Sequence, residues 1–170
     1  MDLSVVIVNY HVRQFLESAL TSIRRAMEGL HGEIFVVDNA SDDGSAEMVR
    51  VKFPDVCLIA NAENLGFARA NNIALKRAKG RHILLINPDT IVQEDTFHVM
   101  IRFFAGLPDA GLAGCKILNP DGSFQLPCRR SFPTPWVAFT KIFGLSALFP
   151  ASILFGKYNL TYLSPDESYP

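Results

Sequence analysis

Four short apolar runs, separated from one another by stretches of helical periodicity, most constrain what this chain can fold into. The runs are LSVVIV at 3–8, EIFVVD at 33–38, VCLIAN at 56–61 and HILLIN at 82–87. They lack the apolar and polar alternation of a half-exposed strand, which indicates strands that are covered on both faces. Strands that alternate with helices predict an α/β fold with a mostly parallel sheet and right-handed crossovers.

The segments between these runs predict the helices. After the first run, apolar residues recur at the three-and-four spacing of one helical face: Val12, Phe15, Leu16, Ala19, Leu20 and Ile23. Further helices are predicted at AEMVRVKF, from Gly66 to about Lys79, and from about Asp95 to Leu107. NPDGSF at 119–124 predicts a hairpin turn, and the prolines after Phe132 predict an irregular tail.

Composition limits the classes of partner. With 170 residues, 49% of them hydrophobic, and a net charge of -1, the chain suits one globular domain and offers no basic surface for nucleic acid. Cys57, Cys115 and Cys128 are odd in number and lack CxxC spacing, which favours a reduced, cytoplasmic location. The apolar stretch 142–156 contains Pro150 and is too short to span a bilayer, but we expect peripheral contact with the inner membrane face.

Polar residues follow all four apolar runs. They are NYH at 9–11, DNASDDGS at 38–45, NAENLG at 61–66 and NPDT at 87–90. Ligands of an open parallel sheet bind outside the carboxyl ends of its strands, where the strand order reverses. If the order is 3-2-1-4, Asn9 lies between Asp38 and Asp89, and the groove has a carboxylate on either side. Asp38 is expected to accept hydrogen bonds from a nucleobase N–H or ribose hydroxyls, and Asp89 to ligate Mg2+ or Mn2+.

Four motifs occur together in the first three quarters of the chain: SVVIVNY, FVVDNASDDGS, NLGFARANN and GRHILLINPDT. In order and spacing they resemble the N-terminal half of family 2 glycosyltransferases with the GT-A fold, especially the rhamnosyltransferase-like branch. The resemblance covers about residues 3–130. It implies a GT-A (Rossmann-like) sheet, a nucleotide-sugar donor, a divalent cation, and inverting transfer to a saccharide or lipid-linked acceptor, as in polysaccharide biosynthesis.

The resemblance also assigns roles to individual residues. Asp38 corresponds to the base-binding aspartate, and Asn9 and Asn87 are expected at the same nucleotide-sugar site. The family's N-x-G-x-x-x-A-x-N helix start corresponds to Asn64, Gly66, Ala70 and Asn72. Asn87 and Asp89 fall on the metal motif, which is usually Asp-x-Asp. Because Asn87 replaces one acid, Asp89 is the only protein carboxylate expected on the cation.

Residues 1–130 are therefore predicted to form a nucleotide-sugar-binding domain, and 131–170 an irregular, apolar tail that belongs to the acceptor side of a longer enzyme. In the family, the general base comes from a later motif, so the catalytic base is expected outside this chain. Asp166 and Glu167 lie in a polar, proline-flanked terminus. This terminus has no apolar surroundings to hold either carboxylate against a sugar as a general base. The chain alone is expected to bind donor and metal without completing transfer.

Two other functions remain open. A nucleotidyltransferase needs a glycine-rich, basic loop after its first strand, and NYHVRQF contains no glycine. A non-catalytic nucleotide-binding or interaction module would use the apolar tail as a docking surface. Ser41, Asp42 and Asp43 are predicted to cap a helix and not to bind a ligand. The segment NASDDGSAEMVR resembles the start of an EF-hand calcium loop. A calcium site is excluded because Arg50 occupies the twelfth position, where a bidentate glutamate is needed.

Overall fold

Four parallel strands form the sheet at the positions of the four apolar runs. In the computed structural model they are β1 (Leu3–Asn9), β2 (Gly32–Asp38), β3 (Cys57–Ala60) and β4 (His82–Ile86). Their order is β3-β2-β1-β4, which confirms the predicted 3-2-1-4 arrangement. β1 and β2 are therefore central strands, and β3 and β4 are the outer ones.

Helices cover both faces of this sheet. They are α1 (Arg13–Ala26), α2 (Ser45–Lys52), α3 (Gly66–Leu75) and α4 (Thr96–Gly106). Side chains alternate between the two faces along a strand. Val5 and Ile7 pack in the core that includes residues of α1, α2 and α4, whereas Val6 packs with Ala70 and Ala74 of α3. Both faces of the central strands β1 and β2 are covered, which accounts for their consecutive apolar residues. The expectation of two covered faces is wrong for β4, where Ile83 and Leu85 are each 48% exposed, and for β3, where only Ile59 is buried. Both are outer strands, so each has a neighbouring strand on one side only.

α3 ends at Leu75, four residues before the predicted end at Lys79. After the helix, the chain passes close to the start of β1. Gly80 N donates to Ser4 Oγ at 2.8 Å, and a Cβ added at Gly80 would lie 2.4 Å from Ser4 N. The backbone must therefore leave the helix early to enter β4 beside β1.

The chain divides into two compact units, Met1–Ala110 and a second unit that begins at Gly111. The structure describes residues 1–167, and residues 168–170 of the predicted tail lie outside the described residues. The predicted domain boundary at 130–131 falls inside the second unit. The functional division that it marks stays a prediction.

The second unit contains short elements. They are the hairpin bridge between Leu118 and Phe124, a 3-10 turn at Leu126–Cys128, α5 (Pro135–Ile142) and α6 (Leu145–Leu148). Pro135 is the first residue of α5, where the missing N–H and the fixed φ of proline are tolerated. Prolines therefore limit the helices of this region without preventing them. Within residues 1–167, no helix is long and apolar enough to cross a membrane.

Candidate functional site

The strand register brings the carboxyl ends of three strands level with one another. Asn9 at the end of β1 is paired with Asp38 at the end of β2, and Asp38 is paired with Ala60 at the end of β3. Asn9 and Asp38 are 0% and 2% exposed. Paired residues on adjacent strands point to the same face, so the two polar side chains lie side by side at the end of the sheet.

The Asp38 carboxylate is fixed by two donors. Asn9 Nδ2 donates to Asp38 Oδ1 at 2.7 Å, and Ser41 N donates to Asp38 Oδ2 at 3.0 Å. Asn9 Nδ2 also donates to Ser41 Oγ at 3.1 Å. A buried carboxylate needs such partners because removal from water otherwise penalises its charge. Asp38 thus anchors the loop after β2 and keeps further lone pairs for a ligand, since each carboxylate oxygen can accept two hydrogen bonds.

The other end of the Asn9 amide is an orphaned acceptor. Asn9 Oδ1 is buried and has no hydrogen-bond partner among residues 1–167. The amide cannot be turned round without pointing this oxygen at the Asp38 carboxylate, so the orientation is set by the contact with Asp38. A buried polar atom left without a partner costs about 1–3 kcal/mol. Because Asn9 Oδ1 is closed to solvent in this arrangement, a donor from a bound molecule reaches it only if the surrounding loop opens.

A second network links β2, β3 and α3, and the sequence analysis missed its two central residues. Asn39 is 2% exposed, and its Oδ1 accepts a hydrogen bond from Asn61 Nδ2 at 2.9 Å. Asn39 Nδ2 makes a long contact with Gly66 O at 3.5 Å. Asn39 directly follows the buried strand β2 and Asn61 directly follows the outer strand β3, and this position at a strand end is the signal that could have identified them. Together they hold the start of α3 against the carboxyl end of the sheet.

The structure separates the residues of the predicted helix-start motif. Asn64 Oδ1 accepts a hydrogen bond from Gly66 N at 2.9 Å, which closes a local turn before α3. Gly66 has φ of +75°, a backbone conformation that favours glycine, and an added Cβ would meet nothing within 4 Å. Ala70 is buried in the core, whereas Asn72 is exposed. Asn64 and Gly66 therefore lie in the strand-end loop, and Asn72 lies on the helix surface.

The N-cap of α2 is Gly44, so none of the three residues predicted to cap this helix is its N-cap residue. Asp43, which precedes Gly44, binds the first residues of two helices. Asp43 Oδ1 accepts from Ser45 N at 3.0 Å and from Ser45 Oγ at 2.6 Å, and Asp43 Oδ2 accepts from Arg13 N at 2.9 Å. Partial burial acts to raise the pKa of Asp43, but the hydrogen bonds from Ser45 and Arg13 outweigh it and hold the pKa below its ordinary value. One carboxylate thus joins the N-terminal ends of α1 and α2.

Two non-glycine residues beside this site adopt left-handed backbone conformations. His11 has φ of 54° and Ala40 has φ of 61°. His11 N donates to Ser41 Oγ at 3.0 Å, and His11 Nδ1 lies 3.0 Å from Asp42 Oδ1. Such conformations cost about 1–3 kcal/mol each and persist where surrounding contacts over-determine them. The loops after β1 and β2 are therefore held together in a strained but well-connected arrangement.

The fourth strand end is more open. β4 pairs with β1 as far as Ile86, opposite Ile7, and Asn87 and Asp89 follow on an exposed turn. Two strand spacings separate β4 from β2, which is roughly 10 Å. The turn after β4 therefore lies about two strand spacings from Asp38, with the end of β1 between them.

The donor set at this turn fits a cation only in part. Within the described residues 1–167, no group of three or more His, Cys, Asp or Glu side chains could hold a metal ion. Asp89 supplies one exposed carboxylate. Magnesium in nucleotide sites is commonly held by one or two carboxylates together with water and substrate phosphates. Asp89 therefore suits a cation whose other ligands come with the substrate.

A separate groove of about 350 Å³ runs along α1. Its lining consists of Gln14, Glu17, Ser18, Thr21, Ser22, Arg25 and Ile91. None of the predicted site residues contributes to it. The groove has no cluster of buried polar groups, and the strand-end site remains the candidate functional site.

Comparison with known proteins gives a family match over most of the chain. The sequence profile described as "Glycosyl transferase family 2" matches residues 4–161. The chain is 33% identical over 107 residues to the minor teichoic acid biosynthesis protein GgaB of Bacillus subtilis, covering 61% of this chain and 12% of that protein. It is 27% identical to N-acetylglucosaminyl-diphospho-decaprenol L-rhamnosyltransferase of Mycobacterium tuberculosis, covering 78% of this chain and 46% of that protein.

A solved structure shows the same fold. The mannosyltransferase PcManGT from Pyrobaculum calidifontis, in complex with GDP-Man and Mn2+, matches with a TM-score of 0.58 and 25% identity. The match covers 70% of this chain and 36% of that chain. The chain spans less than half the length of each of these relatives.

Proposed function

The chain belongs to glycosyl transferase family 2, and we propose that it binds a nucleoside-diphosphate-sugar donor at the carboxyl ends of its strands. The sugar is transferred to a saccharide or lipid-linked acceptor with inversion at the anomeric carbon. The observation that carries the proposal is the buried pair Asn9 and Asp38, whose acceptor oxygens lie at the end of the sheet where strand order reverses. Family membership supplies the reaction class.

The acceptor chemistry of this pair suits the base or ribose of a nucleotide. Asp38 has lone pairs beyond those used by Asn9 and Ser41, and Asn9 Oδ1 has no partner among the described residues. Ring N–H groups of uracil, thymine and guanine, and ribose hydroxyls, are the matching donors. The GDP-Man complex among the relatives and a solved complex of S. aureus TarS with UDP make GDP and UDP nucleotides to test, and the similarity to a rhamnosyltransferase adds dTDP.

The diphosphate is proposed to lie across the groove toward Asp89. A divalent cation, when bound, offsets the negative charge that develops on the leaving diphosphate. Asp89 would hold that cation, and Asn87 would contribute an amide oxygen where the family usually has a second acid. The proposed metal dependence is supported by the Mn2+ of the PcManGT complex and by the single exposed carboxylate on the turn after β4.

We assign no catalytic base within the described residues. Asp166, one of the late carboxylates, is exposed, and its Oδ1 is 2.6 Å from Lys116 Nζ. An exposed carboxylate whose oxygen is already engaged by a lysine ammonium group is poorly placed to accept a proton from a sugar hydroxyl. The base is proposed to come from residues outside this donor site.

Calorimetry with UDP, dTDP and GDP, with and without Mn2+, tests the donor site. Asp38→Ala should weaken nucleotide binding by about 1–3 kcal/mol, or roughly 5-fold to 150-fold, because partner groups lose their acceptor. Asp42→Ala is the matched control, since Asp42 lies on the same loop with a side chain that is 93% exposed. Equal affinity in a folded Asp38→Ala variant would remove Asp38 from the site.

The same titrations separate the alternative functions. A preference for a nucleoside triphosphate over the diphosphate would indicate a nucleotidyltransferase. Binding of no nucleotide under any condition would indicate an interaction module.

Metal titrations test Asp89 separately. Asp89→Asn should abolish the Mn2+ dependence of diphosphate binding, and Asn87→Asp should strengthen it, because a carboxylate is a better ligand for a hard cation than an amide. Glu94→Gln, an exposed substitution after the same strand, should leave the metal response unchanged. A wild-type metal response in Asp89→Asn would exclude Asp89 as the ligand.

A further inference from the structure

The second unit exposes a continuous apolar surface, here called the apolar patch. It consists of Trp136, Phe139, Ile142, Phe143, Leu148, Phe149, Ile153 and Leu154, all more than 40% exposed. Monomeric proteins rarely expose apolar side chains in contiguous groups of this kind, and large groups mark surfaces for proteins or membranes. The apolar patch therefore calls for an occupant.

Aromatic contacts make these side chains one surface. The rings of Trp136 and Phe139 lie 5.7 Å apart, and those of Phe139 and Phe143 lie 4.5 Å apart. Phe155 contacts both Trp136 and Phe149, with ring centroids at 6.2 Å and 5.5 Å. Trp136 Nε1 donates to Leu154 O at 3.1 Å. The exposed rings of α5 are thus joined to the segment that follows α6.

The charge of the surrounding sequence is of one sign. Residues 122–165 contain no Asp or Glu, and their charged side chains are Arg129, Arg130, Lys141 and Lys157. Two of these cations lie over one aromatic ring, with Lys141 Nζ 5.1 Å and Arg130 Cζ 5.9 Å from the centre of Tyr158. Lys141 also belongs to α5, the helix that carries Trp136 and Phe139, so a cation accompanies the apolar patch in the structure.

We propose that the apolar patch binds the surface of a lipid bilayer that contains anionic headgroups. Exposed tryptophan, phenylalanine and aliphatic side chains beside lysine and arginine match the interface between acyl chains and headgroups. α5 has eight residues, so it lies in the interface and does not span the bilayer. Residues 122–165 carry positive charge and no Asp or Glu, so they favour a bilayer with anionic headgroups over an uncharged apolar partner. This inference does not depend on the proposed donor site.

The single tryptophan of the chain makes the test direct. Trp136 lies within the apolar patch, so its emission reports the patch without labelling. Wild-type protein is mixed with phosphatidylcholine vesicles, with or without phosphatidylglycerol. We expect a blue shift and quenching by brominated acyl chains with the anionic vesicles, and much weaker changes at high salt or with the neutral ones.

Paired variants separate the apolar and electrostatic contributions. Ile142→Ser with Phe143→Ser should lower partitioning about tenfold or more on anionic vesicles, because two apolar side chains no longer enter the interface. Val51→Ser with Ile91→Ser is the control, since both residues are similarly exposed in the first unit. It should bind vesicles as the wild type does.

Charge is tested separately from apolar contact. Lys141→Gln and Lys157→Gln should each lower binding about fivefold on anionic vesicles and little on neutral ones. Lys76→Gln, in the first unit, should have no such effect.

Three results would overturn the proposal. The first is no vesicle binding by the folded wild-type chain. The second is unchanged binding of the Ile142 and Phe143 double variant. The third is concentration-dependent dimerisation, measured by sedimentation, that removes Trp136 from solvent while vesicles have no effect, because the occupant would then be a second copy of the chain.

Discussion

The two compact units have similar apolar content but bury it to very different degrees. Hydrophobic residues make up 55 of the 110 residues before Gly111 and 28 of the 60 from Gly111 onward. In the first unit, helices cover both faces of the two central strands. Their apolar residues at positions 3–7 and 34–37 are 0–6% exposed. Among the described residues of the second unit, Val137 is the only hydrophobic residue that is buried. Burial therefore depends on the arrangement of apolar residues and not on their number.

Charge follows the same division. The first unit has 11 Lys and Arg against 14 Asp and Glu, a net charge of -3, and the second has 5 against 3, a net charge of +2. The acids of the first unit include Asp38 and Asp89, which are proposed to bind neutral N–H donors and a cation. The cations of the second unit suit anionic headgroups. The net charge of the whole chain is near zero because a negatively charged unit and a positively charged unit offset each other.

The largest contrast is expected between a core and a patch isoleucine. Ile7→Ala should lower the free energy of unfolding by about 2–5 kcal/mol, because it leaves a cavity in a central strand. Ile142→Ala, at a side chain 79% exposed, should change it by less than about 0.5 kcal/mol. Urea unfolding monitored by far-ultraviolet circular dichroism measures both. A comparable loss for Ile142→Ala would show that the second unit has a core of its own around this residue.

A glycine in each unit sharpens the comparison of packing. Gly80→Ala would place a Cβ 2.4 Å from the backbone nitrogen of Ser4 and should destabilise by about 1–3 kcal/mol, because β1 must shift. Gly114→Ala would meet nothing within 4 Å in the second unit. It should leave stability unchanged or raise it slightly, because alanine restricts the unfolded chain. Thermal unfolding of the two variants against wild type checks this. Equal losses would mean that the second unit is packed as closely as the first.

The smallest contrast concerns two copies of Asp-Gly-Ser. Asp43 and Asp121 each accept from the N–H and hydroxyl of the serine two residues on, with the hydroxyl oxygens at 2.6 Å in both cases. Asp43 also accepts from Arg13 N at 2.9 Å. Asp43→Ala should therefore cost about 1 kcal/mol, because the first residues of α1 and α2 lose a shared acceptor, and Asp121→Ala should cost less. Chemical denaturation of both variants is the measurement.

The pH dependence of that loss follows from the lowered pKa of Asp43. A carboxylate whose pKa is lower in the folded state stabilises the fold above its unfolded pKa of about 3.9. This stabilisation disappears as pH falls through the folded pKa. The difference between wild type and Asp43→Ala should be largest at neutral pH and shrink in acid. A difference that grows below pH 4 would contradict the role assigned to Asp43.

Much of the fold could be predicted because its signals are local. Apolar runs such as LSVVIV indicate strands with two covered faces, and the handedness of crossovers restricts the order of the strands. The end of α3 could not be predicted, because Gly80 approaches Ser4 only in the folded sheet. The pairing of Asn39 with Asn61 could not be predicted for a similar reason. Their contact at 2.9 Å joins two strand ends that are 22 residues apart in sequence.

The sequence by itself determined the strands, the polar residues at their ends, and the local turn that each Asp-Gly-Ser adopts. Gly44 and Gly122, the glycines of these two turns, have φ of +80° and +82°, as expected when neighbouring residues set the conformation. Only the tertiary structure decided what each turn does. Asp43 lies beside the start of α1 and joins two helices, whereas Asp121 closes an exposed hairpin turn. Hydrogen bonds within a turn depend on adjacent residues, but burial and long-range partners depend on which elements the fold brings together.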